Sequence, residues 1–154
     1  MSDNKLRKIM PILCILWICF IFFMSSDVNS SDRTITISET ISEEVQGTEI
    51  TDENSLKQID LLIRKGSHFF EYLVLSLLLL KTFEVYGIKP KQSVGYILLI
   101  CLLIANLDEF YQSFVPGRNA LVRDSLIDFG GAFIGMLGYV GIGELIGRSR
   151  IKKD

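Results

Sequence analysis

The sequence predicts an all-α membrane protein: a bundle of four transmembrane helices, both termini cytoplasmic, with a polar cluster at the outer face. Three observations carry that expectation. Apolar residues make up 49 % of the 154 and are gathered into four blocks rather than dispersed. Mean hydropathy is accordingly positive, at +0.36. The ionisable residues within those blocks lie near block ends, where the cost of about 2.5–3.5 kcal/mol for a charge at a bilayer centre is relieved.

The first transmembrane helix falls in residues 1–24. Lys5, Arg7 and Lys8 precede an apolar run from Ile9 to Met24, which Ser25, Ser26 and Asp27 close. The run is just short of the roughly 17–25 residues of a spanning helix. A cleaved signal peptide has the same basic and apolar regions, but no Ala-x-Ala-like site follows, and Phe22, Phe23 and Met24 are bulky. A retained helix is the expectation. Cys14, Cys19 and Cys101 all sit inside apolar runs. An odd count without Cys-x-x-Cys gives neither a disulfide framework nor a zinc site. Ile18 before Cys19 suits a lipoprotein acceptor poorly.

Residues 25–58 turn abruptly to Ser, Thr, Asp and Glu, which cannot bury enough apolar surface to offset the entropy of ordering. They read as an acidic, mobile extracellular loop. Toward its end, Leu56, Ile59 and Ile63 share one face of a helix over 54–65, suited to lie on the membrane surface. The three-helix region, 59–147, follows. Its second span runs from His68 to Leu80 and on to Phe83, and its third from Val94 to Leu107, continuing with polar insertions to Phe114. The fourth runs from Leu126 to Ile146, with Asp128 in its first turn. Residues 148–154 are a basic cytoplasmic tail.

Orientation follows from the Lys and Arg bias across the loops. With the amino terminus cytoplasmic, ten of the 16 basic residues fall inside; Arg33, Lys57, Arg64, Lys65, Arg118 and Arg123 fall outside. That topology brings His68 and Glu71, Asp108, Glu109 and Gln112, and Asp124 and Asp128 to one outer face. The cell membrane, entered in several passes, is the expected location, and the lipid bilayer the expected partner.

Helical spacing places His68 beside Glu71 and Tyr72, and Asp108 beside Gln112. Asp124, Asp128, Gly131, Gly135 and Gly138 form a row with steps of 4, 3, 4 and 3. Its Gly-x-x-x-Gly spacing permits close approach of membrane helices, so Asp128 is expected to face a neighbour rather than lipid. Pro116-Gly117 suits a type II turn that aims Arg118 back over the helix ends. Arg118 could neutralise an aspartate there, locking the helices, or receive an anionic headgroup.

These residues carry a resemblance to the VanZ-like family of bacterial membrane proteins. The matching pieces are Arg64-Lys65 with His68, Phe69, Glu71 and Tyr72, and Asp108-Glu109 with Gln112 and Phe114. Pro116-Gly117-Arg118, Asp124, Asp128, Gly131 and Gly135 complete them. The resemblance covers roughly Ile59 to Gly138, and it does not explain the acidic loop. The family is named for an accessory protein of teicoplanin resistance in Gram-positive bacteria. Teicoplanin is a lipoglycopeptide that acts on cell-wall precursors at the outer membrane face, so the resemblance implies a cell-envelope role and, as an expectation only, antibiotic resistance.

Three classes of function fit. A binding protein would use Arg64, Lys65, Asp108, Glu109, Gln112, Arg118, Asp124 and Asp128 to engage an amphiphile, such as a lipid-linked wall precursor or a lipoglycopeptide. An enzyme would use His68 and Glu71 in acid/base or metal-assisted hydrolysis, since an unperturbed pKa near 6.5 suits proton transfer. A structural partner would use the cluster only to fix the bundle. The ligand types suit zinc or manganese, but no motif fixes a geometry, so no metal is assigned and the cofactor is unknown. No basic stripe with interleaved aromatics points to nucleic acid. Ser-x-x-Lys, Gly-x-Ser-x-Gly and P-loop patterns are absent, which argues against serine acyl transfer and nucleotide chemistry.

Overall fold

A computed structural model describes residues 3–26, 53–115 and 121–151. The body of the acidic loop, the Pro116-Gly117-Arg118 turn and the last residues of the basic tail lie outside them. The elements are α1 (Asp3–Ser25), α2 (Glu53–Val85), α3 (Pro90–Gln112) and α4 (Val122–Ile151). No strand occurs among the described residues.

Three stretches are long and apolar enough to cross a membrane: Asn4–Ser25, Pro90–Gln112 and Val122–Ile142. The second predicted span, within α2, is not among them. His68, Glu71 and Lys81 dilute it. The packing gives the reason such residues are tolerated, because α2 contacts all three other helices. A helix surrounded by protein need not be apolar all round.

α2 also corrects the expectation of a surface helix over 54–65 followed by a separate span. The two are one continuous helix of 33 residues, roughly 50 Å long at 1.5 Å per residue. Gly66 does not break it: a helix interior tolerates one glycine for about 1 kcal/mol. With a hydrocarbon core of about 30 Å, part of α2 extends beyond the bilayer. α4, at 30 residues, starts at Val122 rather than Leu126. Asp124 therefore occupies its first turn and Asp128 its second.

The helices run alternately up and down. Near the start of α1, Arg7 donates from Nε to the Val85 carbonyl at the end of α2 (3.1 Å), and the Tyr86 hydroxyl donates to the Arg7 carbonyl (3.0 Å). At the opposite end Ser25 of α1 meets Asp108 of α3. The α2–α3 turn closes on Gly87, whose φ of +85° suits a residue without Cβ. The Gly87 N–H bonds the Glu84 carbonyl and the Ile88 N–H the Phe83 carbonyl, the pair that caps a helix C-terminus. Pro90 then opens α3, its fixed φ preset for a first helical turn.

The core joins Cys14, Ile21, Tyr72, Leu75, Leu80, Ile97, Cys101, Ala105, Ala132 and Met136. The outside is apolar as well: Ile15, Leu16, Phe23, Leu99, Leu103, Leu107, Ile134 and Leu137 are all exposed. A monomer in water rarely shows so large an apolar surface, whereas a bilayer requires one. The three cysteines are free thiols, with Cys14 and Cys101 buried and Cys19 exposed.

α2 and α4 meet along the glycine row. A Cβ on Gly131 would collide with the Phe69 backbone, and one on Gly135 would lie 3.0 Å from the Leu73 carbonyl oxygen. Gly138 is a correction to the predicted seam. It is exposed, and a Cβ there would meet nothing within 4 Å. α2 and α4 still meet beside it, where the Tyr139 hydroxyl donates to Glu84 Oε2 at 2.7 Å. Because the helices cross at an angle, the line of contact has moved off the glycine row by that turn.

Candidate functional site

Polar groups from all four helices meet at the end of the bundle where α1 and α3 finish and α4 begins. Asp108, on the last turns of α3, is fully buried. Its Oδ2 accepts from the Ser25 hydroxyl at 2.8 Å and from Gln112 Nε2 at 3.0 Å, while Gln112 Nε2 also lies 3.3 Å from Ser25 Oγ. The Asp108–Gln112 pairing follows from i, i+4 spacing. Ser25 was missed by sequence reasoning, which took it only as the close of an apolar run. The available signal was modest: a hydroxyl at the helix end that the topology places beside Asp108. Ser25→Ala removes a hydrogen bond to a buried carboxylate and should destabilise the protein by about 1–2 kcal/mol, measurable as a lower melting temperature in detergent.

Glu109, the next residue of α3 after Asp108, is also buried. Its Oε2 accepts the Leu121 N–H at 3.0 Å, tying the entry of α4 to the end of α3 across the turn that contains Arg118. Asp124, in the first turn of α4, pairs with Lys65 of α2 at 2.9 Å. A carboxylate there also complements the helix dipole. Both partners are partly exposed, so the pair contributes up to about 1 kcal/mol. The expected partner for this aspartate, Arg118, lies outside the described residues.

On α2, His68 Nδ1 lies 3.7 Å from Glu71 Oε2. The Glu71 carbonyl accepts from Trp17 Nε1 at 2.9 Å, which docks α1 against this turn. Trp17 thus has a defined bond beyond the packing or interfacial role expected of it. Tyr72 is fully buried, and its hydroxyl has no hydrogen-bond partner among the described residues. Asp128 is 1 % exposed, and neither carboxylate oxygen has a hydrogen-bond partner among the described residues. Asp108, Glu109, Glu71 and Asp124 all lie within electrostatic reach of it.

A pocket of about 180 Å³ opens between α2, α3 and α4. Arg64, Lys65, His68, Glu109, Gln112, Asp124 and Asp128 line it together with Leu61, Leu121 and Ile127. Asp108 and Glu71 do not line it. Asp108 nevertheless approaches from behind: His68, Asp108 and Asp128 each offer a ligand atom within 4.8 Å of the others. The fold therefore brings together Arg64, Lys65, His68, Glu109, Gln112, Asp124 and Asp128 around one cavity, with Asp108 and Glu71 close to the lining residue His68 but outside the lining. Of the three glycines predicted to pack helices, Gly131 and Gly135 lie against α2 and Gly138 does not.

A family model described as VanZ/LLP1 matches residues 10–145. No curated protein and no solved structure matches the chain.

Proposed function

The chain belongs to the VanZ/LLP1 family of multi-pass membrane proteins, and on that premise we propose that its pocket receives the polar head of an amphiphilic cell-envelope ligand. The observation that carries this reading is the lining. Arg64, Lys65 and His68 line it beside the acidic Glu109, Asp124 and Asp128, and Leu61, Leu121 and Ile127 add apolar surface. A cavity lined by both charged and apolar side chains suits a molecule that is itself half polar and half lipid.

Size narrows the ligand. Pockets for drug-sized molecules run to roughly 300–1,000 Å³, so a pocket of about 180 Å³ holds a phosphate or a single sugar and not a whole glycopeptide. A lipid-linked wall precursor would place its phosphoryl-sugar head there, with its tail along the helices. A lipoglycopeptide would enter by one appended group only. The basic-residue bias supports both termini in the cytoplasm and the pocket on the outer side, where such ligands are met.

The expected role is a contribution to teicoplanin resistance, tested by measuring susceptibility and membrane abundance side by side in a sensitive host. Arg64→Ala should abolish the protection while abundance holds. Loss of a charge-assisted hydrogen bond of about 1.5–3 kcal/mol weakens head binding roughly ten- to a hundredfold. Protection that falls only in step with abundance would make the cluster structural. A wild-type chain that gives no protection would place its ligand elsewhere in the envelope.

The juxtaposition of His68, Asp108 and Asp128 favours a second reading, hydrolysis of the same headgroup. His68→Gln separates the two. A hydrolase loses turnover of the headgroup outright with that substitution, whereas a binder held by Arg64 and Lys65 retains saturable binding.

A further inference from the structure

We propose that His68, Asp108 and Asp128 form a binding site for one divalent cation of the manganese–zinc class. The three residues come from α2, α3 and α4, and their ligand atoms lie within 4.8 Å of one another. Ligands on a shared ion at about 2.1 Å are roughly 3.4 Å apart, so side-chain rotations of about an ångström close the site. One imidazole and two carboxylates suit first-row divalent ions better than calcium, which takes oxygen ligands in larger number.

Asp128 supplies the second, independent observation. It is 1 % exposed, with both carboxylate oxygens unpartnered among the described residues. A carboxyl out of water without hydrogen bonds either holds its proton or meets a cation that displaces it. Lys65 is engaged by Asp124 at 2.9 Å. Around Asp128 stand Glu71, Asp108, Glu109 and Asp124, five carboxyl groups in all with Asp128 itself, and the permanent cations lining the pocket among the described residues are Arg64 and Lys65. Asp108 is already oriented, since Ser25 and Gln112 both bond its Oδ2, as ligating carboxylates generally are.

The site stands independently of the headgroup reading. If both hold, the cation sits at the pocket floor and meets an anionic head from below, clamping three helices as it does so.

The test uses the full chain purified in detergent, stripped with chelator, then given Mn²⁺ or Zn²⁺ alone. After desalting, metal content is measured by mass spectrometry and melting by circular dichroism. Wild type should retain about one equivalent and melt higher with it. Asp128→Asn and His68→Gln should bind at least roughly a hundredfold more weakly, more than loss of a supporting hydrogen bond alone would cause. Glu84→Gln, at the opposite end of the bundle, should bind as wild type does. If Asp128→Asn does not fold, His68→Gln decides. Folded wild type that takes up neither ion overturns the proposal, as does uptake unchanged in the folded variants. Because no lipid is present, failure here leaves the headgroup reading to its own test.

Discussion

Replacing Gly131 by alanine is expected to remove most of the folded protein from the membrane. The position tolerates no side chain, because a Cβ would collide with the Phe69 backbone carbonyl and lie 3.1 Å from the Phe69 Cα. A flexible side chain could turn aside, but a helix backbone cannot. Relief requires α2 and α4 to move apart, and these two helices carry His68 and Asp128. Inserting one methyl into a packed core typically costs about 1–3 kcal/mol, and a collision with backbone falls at or above the top of that range. Gly135→Ala should be milder, since one of its two close neighbours is the Ser76 hydroxyl, which can rotate. Gly138→Ala should be neutral, because that position is open. Membrane abundance and melting temperature of the three variants check the order. Equal tolerance at Gly131 and Gly138 would contradict the α2–α4 packing.

Asp128→Asn is expected to act in the opposite direction and raise stability in metal-free buffer. The substitution keeps shape and replaces an ionisable carboxyl that is 1 % exposed and without a hydrogen-bond partner among the described residues. It also relieves repulsion from Asp108, Glu109, Glu71 and Asp124. Burying an uncompensated polar or charged group costs several kcal/mol. The gain, reduced by the amide's own unmet hydrogen bonds, should be about 1–3 kcal/mol. For a chain of this size, each kcal/mol moves the melting temperature by roughly 2–4 °C. A buried group that costs stability is a functional-site candidate. If Asp128→Asn melts lower than wild type in chelator, Asp128 is a structural lock and the cation site loses its main support.

Much of this was legible in the sequence because the bilayer imposes coarse rules. Four apolar blocks correspond to four helices, three of them long and apolar enough to cross a membrane among the described residues. His68 with Glu71 and Asp108 with Gln112 were readable from helical spacing alone. Contacts between helices were not. Ser25 and Asp108 are 83 positions apart, and no local pattern announces such a bond. Lys65 with Asp124 was hidden for the same reason, and Arg118 was the more conspicuous candidate. The continuity of α2 was obscured by Arg64, Lys65 and Gly66, which read as a boundary. They are a helix face beside a pocket. Gly138 kept the row's spacing yet is exposed, because α2 crosses α4 at an angle and at this level meets Tyr139 instead.

Direct binding of a polyprenyl diphosphate to the purified chain in nanodiscs tests the central claim most closely. Titrations of wild type and Arg64→Ala would be run with the matching uncharged polyprenol as control. The pocket reading predicts saturable binding to wild type, roughly ten- to a hundredfold weaker in Arg64→Ala, with the polyprenol bound poorly by both. Diphosphate and polyprenol bound alike, or Arg64→Ala binding as tightly as wild type, would contradict it.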